Sequence, residues 1–105
     1  MTASRLESLQ RFLEDDPADA FTHYAIALEY ISMNNIPDAI DKFGEVITLD
    51  PNYVPAYHQL GLLLLRQNRI DEGKIILEHG IEVARLTGDA HAQSEMEEAI
   101  EDSGL

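Results

Sequence analysis

The chain has 105 residues, 45% of them hydrophobic, with six glycines and four prolines; that size and composition fit a single globular domain and exclude disordered and fibrous classes. Seven Lys plus Arg against twenty Asp plus Glu give a formal charge of -13, a field that repels phosphate backbones and anionic headgroups and so argues against nucleic acid and membrane as partners. The absence of cysteine rules out disulfides, thiolate catalysis and Cys-ligated zinc or iron-sulfur centres, and it fits a cytoplasmic protein.

The first helix is predicted from Ala3 to Glu14, where Leu6, Leu9, Phe12 and Leu13 fall at helical spacings, with Ser4 or Thr2 as its N-cap. These opening residues alternate apolar and charged positions and lack the apolar core of a signal peptide. Asp15-Asp16-Pro17 ends the helix, because proline disfavours helical geometry in the residue before it. A second helix runs from about Asp19 to Met33. Phe21, Tyr24, Ala25, Leu28 and Ile31, together with Ile26, Ala27 and Tyr30, cover more than one of its faces, so it meets neighbours on two sides.

Asn34-Asn35 is the next break, since asparagine tolerates left-handed geometry, and Pro37 sits in the first turn of the third helix. That helix carries Ile36, Ala39, Ile40, Phe43, Val46 and Ile47 and stops at Asp50-Pro51. A fourth runs from about Tyr53 to Gln67, ends at Asn68, and holds the longest apolar run, Leu60 to Leu65, which is too short to cross a bilayer. The fifth, from Ile70 to Leu86, lacks the Asp-Pro stop and runs on to Gly88, a left-handed cap. Asp89 caps a sixth helix ending near Glu101, whose single apolar stripe of Ala92, Met96, Ala99 and Ile100 leaves the rest polar. No segment has strand periodicity, so the expected fold is all-α, an array of antiparallel hairpins.

The chain also repeats itself. Asp16-Pro17 returns as Asp50-Pro51, an offset of 34, and the same offset pairs Leu9 with Phe43, Leu13 with Ile47, Ile26 with Leu60 and Ala27 with Gly61. It continues through Tyr30 and Leu64, Asn34 and Asn68, Ile36 and Ile70, Ala39 and Gly73, and Phe43 and Leu77. Size classes persist at each pair, so each unit is a helical hairpin stacked on the next. Small residues at Ala27, Ala39, Gly61, Gly73 and Gly80 allow close helix approach, and Tyr30, Phe43, Leu60, Leu64 and Leu77 fill the gaps.

At these residues the chain resembles the tetratricopeptide repeat (TPR) family. Tyr57, Leu60, Gly61 and Leu64, with Leu64 in place of the family's aromatic, followed by Gly73, Leu77 and Gly80, match its motif in one repeat. His23, Ile26, Ala27 and Tyr30, then Ala39, Phe43, Val46 and Pro51, match it in the other, with His23 and Val46 departing from type. The resemblance covers about residues 6 to 87 and implies an α-α superhelix, a TPR solenoid of about six antiparallel helices. Residues 1–105 then form one TPR domain: a leading helix at 3–15, repeats at 19–50 and 53–87, and a capping helix at 89–102.

The resemblance also implies a concave surface, lined by the first helix of each hairpin, that binds a peptide or helix of another protein. Carried onto this chain, that surface is Phe21, Tyr24, Leu28 and Ile31 from one helix and His58, Gln59, Leu62, Leu65 and Arg66 from the next. Being mainly apolar and aromatic in acidic surroundings, it suits a partner with apolar anchors and basic flanks. Two other readings stay open: Leu28, Leu62 and Leu65 are core, or the groove is covered by a second copy, making the chain a homo-oligomerisation module. Tyr24, Leu28, His58 and Leu62 stand where some relatives carry the Lys, Asn and Arg of a carboxylate clamp, so that clamp is not expected.

His23, His58, His79 and His91 form no ligand pair at metal-binding spacing, and no nucleophile elbow or phosphate loop is present, so no metal, cofactor or enzymatic chemistry is expected. Glu95, Glu97, Glu98, Glu101 and Asp102 read as the solvated face of a solenoid cap before they read as a patch for a basic partner.

Overall fold

Local chemistry sets the helix boundaries. In the computed structural model, which describes residues 4–104, Ser4 Oγ accepts the Glu7 amide at 3.1 Å and opens α1 (Arg5–Asp15). Thr2, the other candidate cap, and Ala3 lie outside the described residues. Asp19 opens α2 (Ala20–Ser32) by accepting the Thr22 amide at 3.1 Å and also the Thr22 hydroxyl. Pro37 lies in the first turn of α3 (Ile36–Leu49), and Pro55 does the same in α4 (Val54–Arg66). α5 (Ile70–Thr87) is followed by Asp89, which caps α6 (Ala90–Asp102) through the Ala92 amide at 3.1 Å. Among the described residues the regular structure is six α-helices with no strand.

Three helices end by one device. Asn34 at φ 57°, Asn68 at φ 61° and Gly88 at φ 77° are left-handed, and the following amide reaches back to close the end: Asn35 N to Tyr30 O at 2.8 Å, Arg69 N to Leu64 O at 2.9 Å, Asp89 N to Ala84 O at 2.8 Å. Asparagine tolerates this geometry and glycine adopts it freely, which is why those residue types mark the breaks.

The chain divides into two compact units, Met1–Asp50 and Pro51–Leu105, at the second Asp-Pro step. In the first, α2 packs on both α1 and α3. Ala27, Ala39, Phe43 and Val46 are fully buried, and the Tyr24 and Phe43 rings meet at 5.8 Å in a tilted pair. Burying a side chain of the Phe43 class contributes about 1.5–3 kcal/mol. α1 buries no residue completely, and Phe12, on the apolar side of the sequence pattern, is 57% exposed.

In the second unit α5 packs on α4 and α6, and α4 also meets α6. Three glycines set these distances. A Cβ on Gly61 would stand 2.5 Å from Leu77 Cγ; on Gly73, 2.9 Å from Leu65 Cδ2; on Gly80, 2.6 Å from Tyr57 Cβ and 2.7 Å from Met96 Sδ. Gly80 is thus where α4, α5 and α6 converge, and Met96 is the one fully buried residue of α6.

The repeats share a further contact. Tyr57 Oη donates to the Pro51 carbonyl at 2.7 Å. At the equivalent place in the first unit, His23 Nε2–H donates to the Pro17 carbonyl, also at 2.7 Å. The departure of His23 from the family type therefore keeps the bond that ties the helix to its preceding turn.

Candidate functional site

The two inner helices named from the sequence stand in different units. On α2, Phe21 is 66% exposed and Leu28 is 38% exposed, while Ile31 is half-buried. Tyr24 is half-buried against Phe43, so part of its ring belongs to the first unit's core.

On α4, His58, Leu62, Leu65 and Arg66 are spaced to share one helix face, and they line a cavity of about 470 Å³. The opposite wall is α6, which supplies Glu95, Glu98, Ala99, Asp102 and Ser103. Gln59, the fifth α4 residue named from the sequence, does not line it. Leu62 and Leu65 are half-buried, and Leu65 has a second role against Gly73. Arg66, Glu95, Glu98 and Asp102 are exposed. The result is an apolar floor with carboxylates along one wall and a guanidinium and an imidazole along the other.

From sequence Glu95, Glu98 and Asp102 read first as a solvated cap face and second as a patch for a basic partner, and their sharing a cavity with α4 was not anticipated. A signal was present: Glu95, Glu98 and Asp102 recur at helical spacing beside Ala99, whereas Glu97 and Glu101 fall off that face and do not line the cavity.

The remaining histidines are engaged elsewhere. His23 is buried; its Nδ1 accepts from Lys42 Nζ at 3.4 Å and stands 3.8 Å from Glu45 Oε1. The 2.8 Å hydrogen bond from Lys42, aided by the Lys42 charge, outweighs desolvation and holds the Glu45 carboxyl below its usual range. The His79 ring lies 5.1 Å from that of Tyr57, and His91 pairs with Glu95 at 3.0 Å. Among the described residues no group of His, Asp and Glu is arranged to hold a metal ion, and no helix is long and apolar enough to cross a membrane.

A TPR repeat model matches residues 27–68 and a tetratricopeptide repeat model matches residues 54–85. Among solved structures, a tetratricopeptide repeat domain protein from Salinibacter ruber is 38% identical over 85% of this chain and 90% of its own, with a TM-score of 0.80. The chain belongs to the tetratricopeptide repeat family. Its fold as an all-α helical repeat agrees with more distant solved structures. The TPR2B domain of yeast Sti1, solved in complex with pHsp70, is 16% identical over 93% of this chain and 78% of its own, with a TM-score of 0.86. A Bordetella parapertussis protein is 19% identical over 97% of this chain and 89% of its own, with a TM-score of 0.84. No curated protein matches the chain in sequence.

Proposed function

We propose that this TPR chain is a protein-protein interaction adaptor that presents the α2 face (Phe21, Tyr24, Leu28, Ile31) and the α4 face (His58, Gln59, Leu62, Leu65, Arg66) to a peptide or helix of a partner. The observation that carries the reading is the cavity in which Leu62 and Leu65 stay half-open to solvent, since apolar surface left uncovered in a small domain gains by being covered. Residues 1–105 act as one domain that offers a surface and does no chemistry of its own, and the lack of cysteine suits a reducing cytoplasm. The yeast Sti1 domain was solved with pHsp70, which supports a protein partner in kind. At 16% identity the likeness carries only the fold, and Tyr24, Leu28, His58 and Leu62 do not suit a chaperone carboxylate.

The test is affinity capture from the source cell with the wild-type chain and with Phe21→Ser plus Leu62→Asp, two changes at sites that are not fully buried. A partner lost in the variant, with an unchanged circular dichroism melt, supports the reading; an unchanged partner set moves function off these faces. Self-association is the second reading, favoured by the exposure of Phe12 (57%) and Phe21 (66%) in the first unit. Light scattering decides it: a monomer across the micromolar range removes the homodimer, and a stable dimer with Phe21 protected from solvent removes the adaptor reading.

A further inference from the structure

Resting on that adaptor reading, we propose that the cavity of the second unit is a bipolar docking site for an amphipathic segment of a partner protein, whose apolar side chain sits on Leu62 and Leu65 and whose Lys or Arg residues run along α6. In this arrangement α6 is half of the binding site in addition to being the cap of the repeat.

Three features of the cavity define that occupant. The floor is Leu62, Leu65 and Ala99, which takes an aliphatic side chain. Along one wall Glu95, Glu98 and Asp102 are three and four residues apart, so at 1.5 Å per residue they stand about 4.5 and 6 Å apart along the α6 axis. Basic residues one turn apart on a partner helix match that spacing. Glu98 and Asp102 have no ion-pair partner among the described residues, and Glu95 has only the exposed His91. On the other wall Arg66 lacks an ion-pair partner among the described residues, as do Arg11 and Lys74, whereas Arg5, Lys42, Arg69 and Arg85 are engaged by Glu29, Glu45, Glu72 and Glu82. Arg66 therefore meets an acidic or carbonyl group on the partner's other flank and sets its orientation.

Charge also selects against a second copy as occupant. Each copy carries -13, and the cavity itself presents three carboxylates against one guanidinium, so pairing two copies there brings like charge together. A pure solvating cap would need only an outward polar face, and Glu97 and Glu101 already provide one without lining the cavity.

The test uses the full chain and three fluorescein-labelled synthetic helical peptides: one with a Leu ridge between a Lys flank and a Glu flank, one with the Lys flank changed to Glu, and one with the Leu ridge changed to Ser. Fluorescence anisotropy is expected to show the first binding at least about tenfold more tightly than either of the others. Its affinity falls as salt is raised. Glu95→Gln with Glu98→Gln and Asp102→Asn, all exposed sites that leave the helix intact, weakens the first peptide by about tenfold and removes its advantage over the second. Amide shifts caused by the first peptide fall on α4 and α6. The proposal is overturned if the three peptides bind alike, if none binds below about 1 mM, if the triple variant changes nothing, if the shifts fall on α2, or if the chain dimerises through the cavity without peptide. Failure here with the Phe21 and Leu62 variant still losing its cellular partner refutes the basic occupant and leaves the adaptor reading standing; failure of both removes the adaptor.

Discussion

Gly61→Ala puts a methyl group where a Cβ would stand 2.5 Å from both Leu77 Cγ and Leu77 Cδ2, against an ordinary contact of 3.4–4 Å. Leu77 is fully buried, so it cannot swing into solvent, and the main-chain oxygen of Gly73 already stands 3.4 Å from the same point. Overpacking of this kind costs about 1–3 kcal/mol, and forcing Leu77 off its rotamer adds about 0.5–1.5 kcal/mol. Alanine recovers about 1 kcal/mol of helix propensity over glycine, leaving a net loss of about 0.5–3.5 kcal/mol, while Gly61→Leu, with more atoms and no more room, loses more than Gly61→Ala. Gly44 is the internal control, because nothing lies within 4 Å of its Cβ position, so Gly44→Ala gains about 0.5–1 kcal/mol from propensity alone. Urea unfolding monitored by circular dichroism measures all three. Leu77→Ala closes the cycle: in that background the obstacle is gone, and Gly61→Ala turns neutral or stabilising. The packing argument is wrong if Gly61→Ala stabilises as Gly44→Ala does, or if the two changes at Gly61 and Leu77 simply add.

Tyr57→Phe removes the hydroxyl that meets the Pro51 carbonyl without leaving a cavity, and the expected loss is about 0.5–1.5 kcal/mol in the same urea assay. His23→Phe, at the equivalent bond to Pro17, loses a similar amount; no change in either variant would show that the turn bond contributes nothing. Asn68→Ala costs about 1–2 kcal/mol because alanine resists the φ of 61°, whereas Asn68→Gly is neutral or slightly stabilising. Glu45 is held below its ordinary value of 4.5 chiefly by the Lys42 hydrogen bond. Its folded pKa is depressed, so its contribution is present above the unfolded pKa and lost as pH falls through the folded one. With the carboxylate 48% exposed the effect is small: Glu45→Gln flattens the stability profile below about pH 4.5, and a profile parallel to wild type throughout the acid limb counts against the Lys42 contact.

What was legible in the sequence is what depends on neighbours along the chain. The stops at Asp16-Pro17 and Asp50-Pro51, the left-handed Asn34, Asn68 and Gly88, and the cap at Asp89 involve groups within a few residues of one another, and each appears in the structure. The period of 34 likewise shows in the paired turn bonds of His23 and Tyr57. The α4–α6 cavity was not legible, because it depends on which residues come together across more than thirty positions. Glu95 and Glu98 break the repeat pattern, and a broken pattern looks the same whether a carboxylate faces open water or a cleft. Leu65 shows the same limit: apolar content does not reveal that one side chain both fills the space over Gly73 and lines the cavity.

Gly80, Tyr57 and Met96, which crowd one another where α4, α5 and α6 converge, contribute no atom to the cavity's lining. Because the carboxylates ride on one helix, a slightly larger or smaller side chain at position 96 moves them together, preserving their mutual spacing while altering their distance from Arg66. The width of the cavity can therefore drift through a residue that contributes nothing to its lining, and a comparison of sequences confined to the lining would overlook where two such proteins diverged.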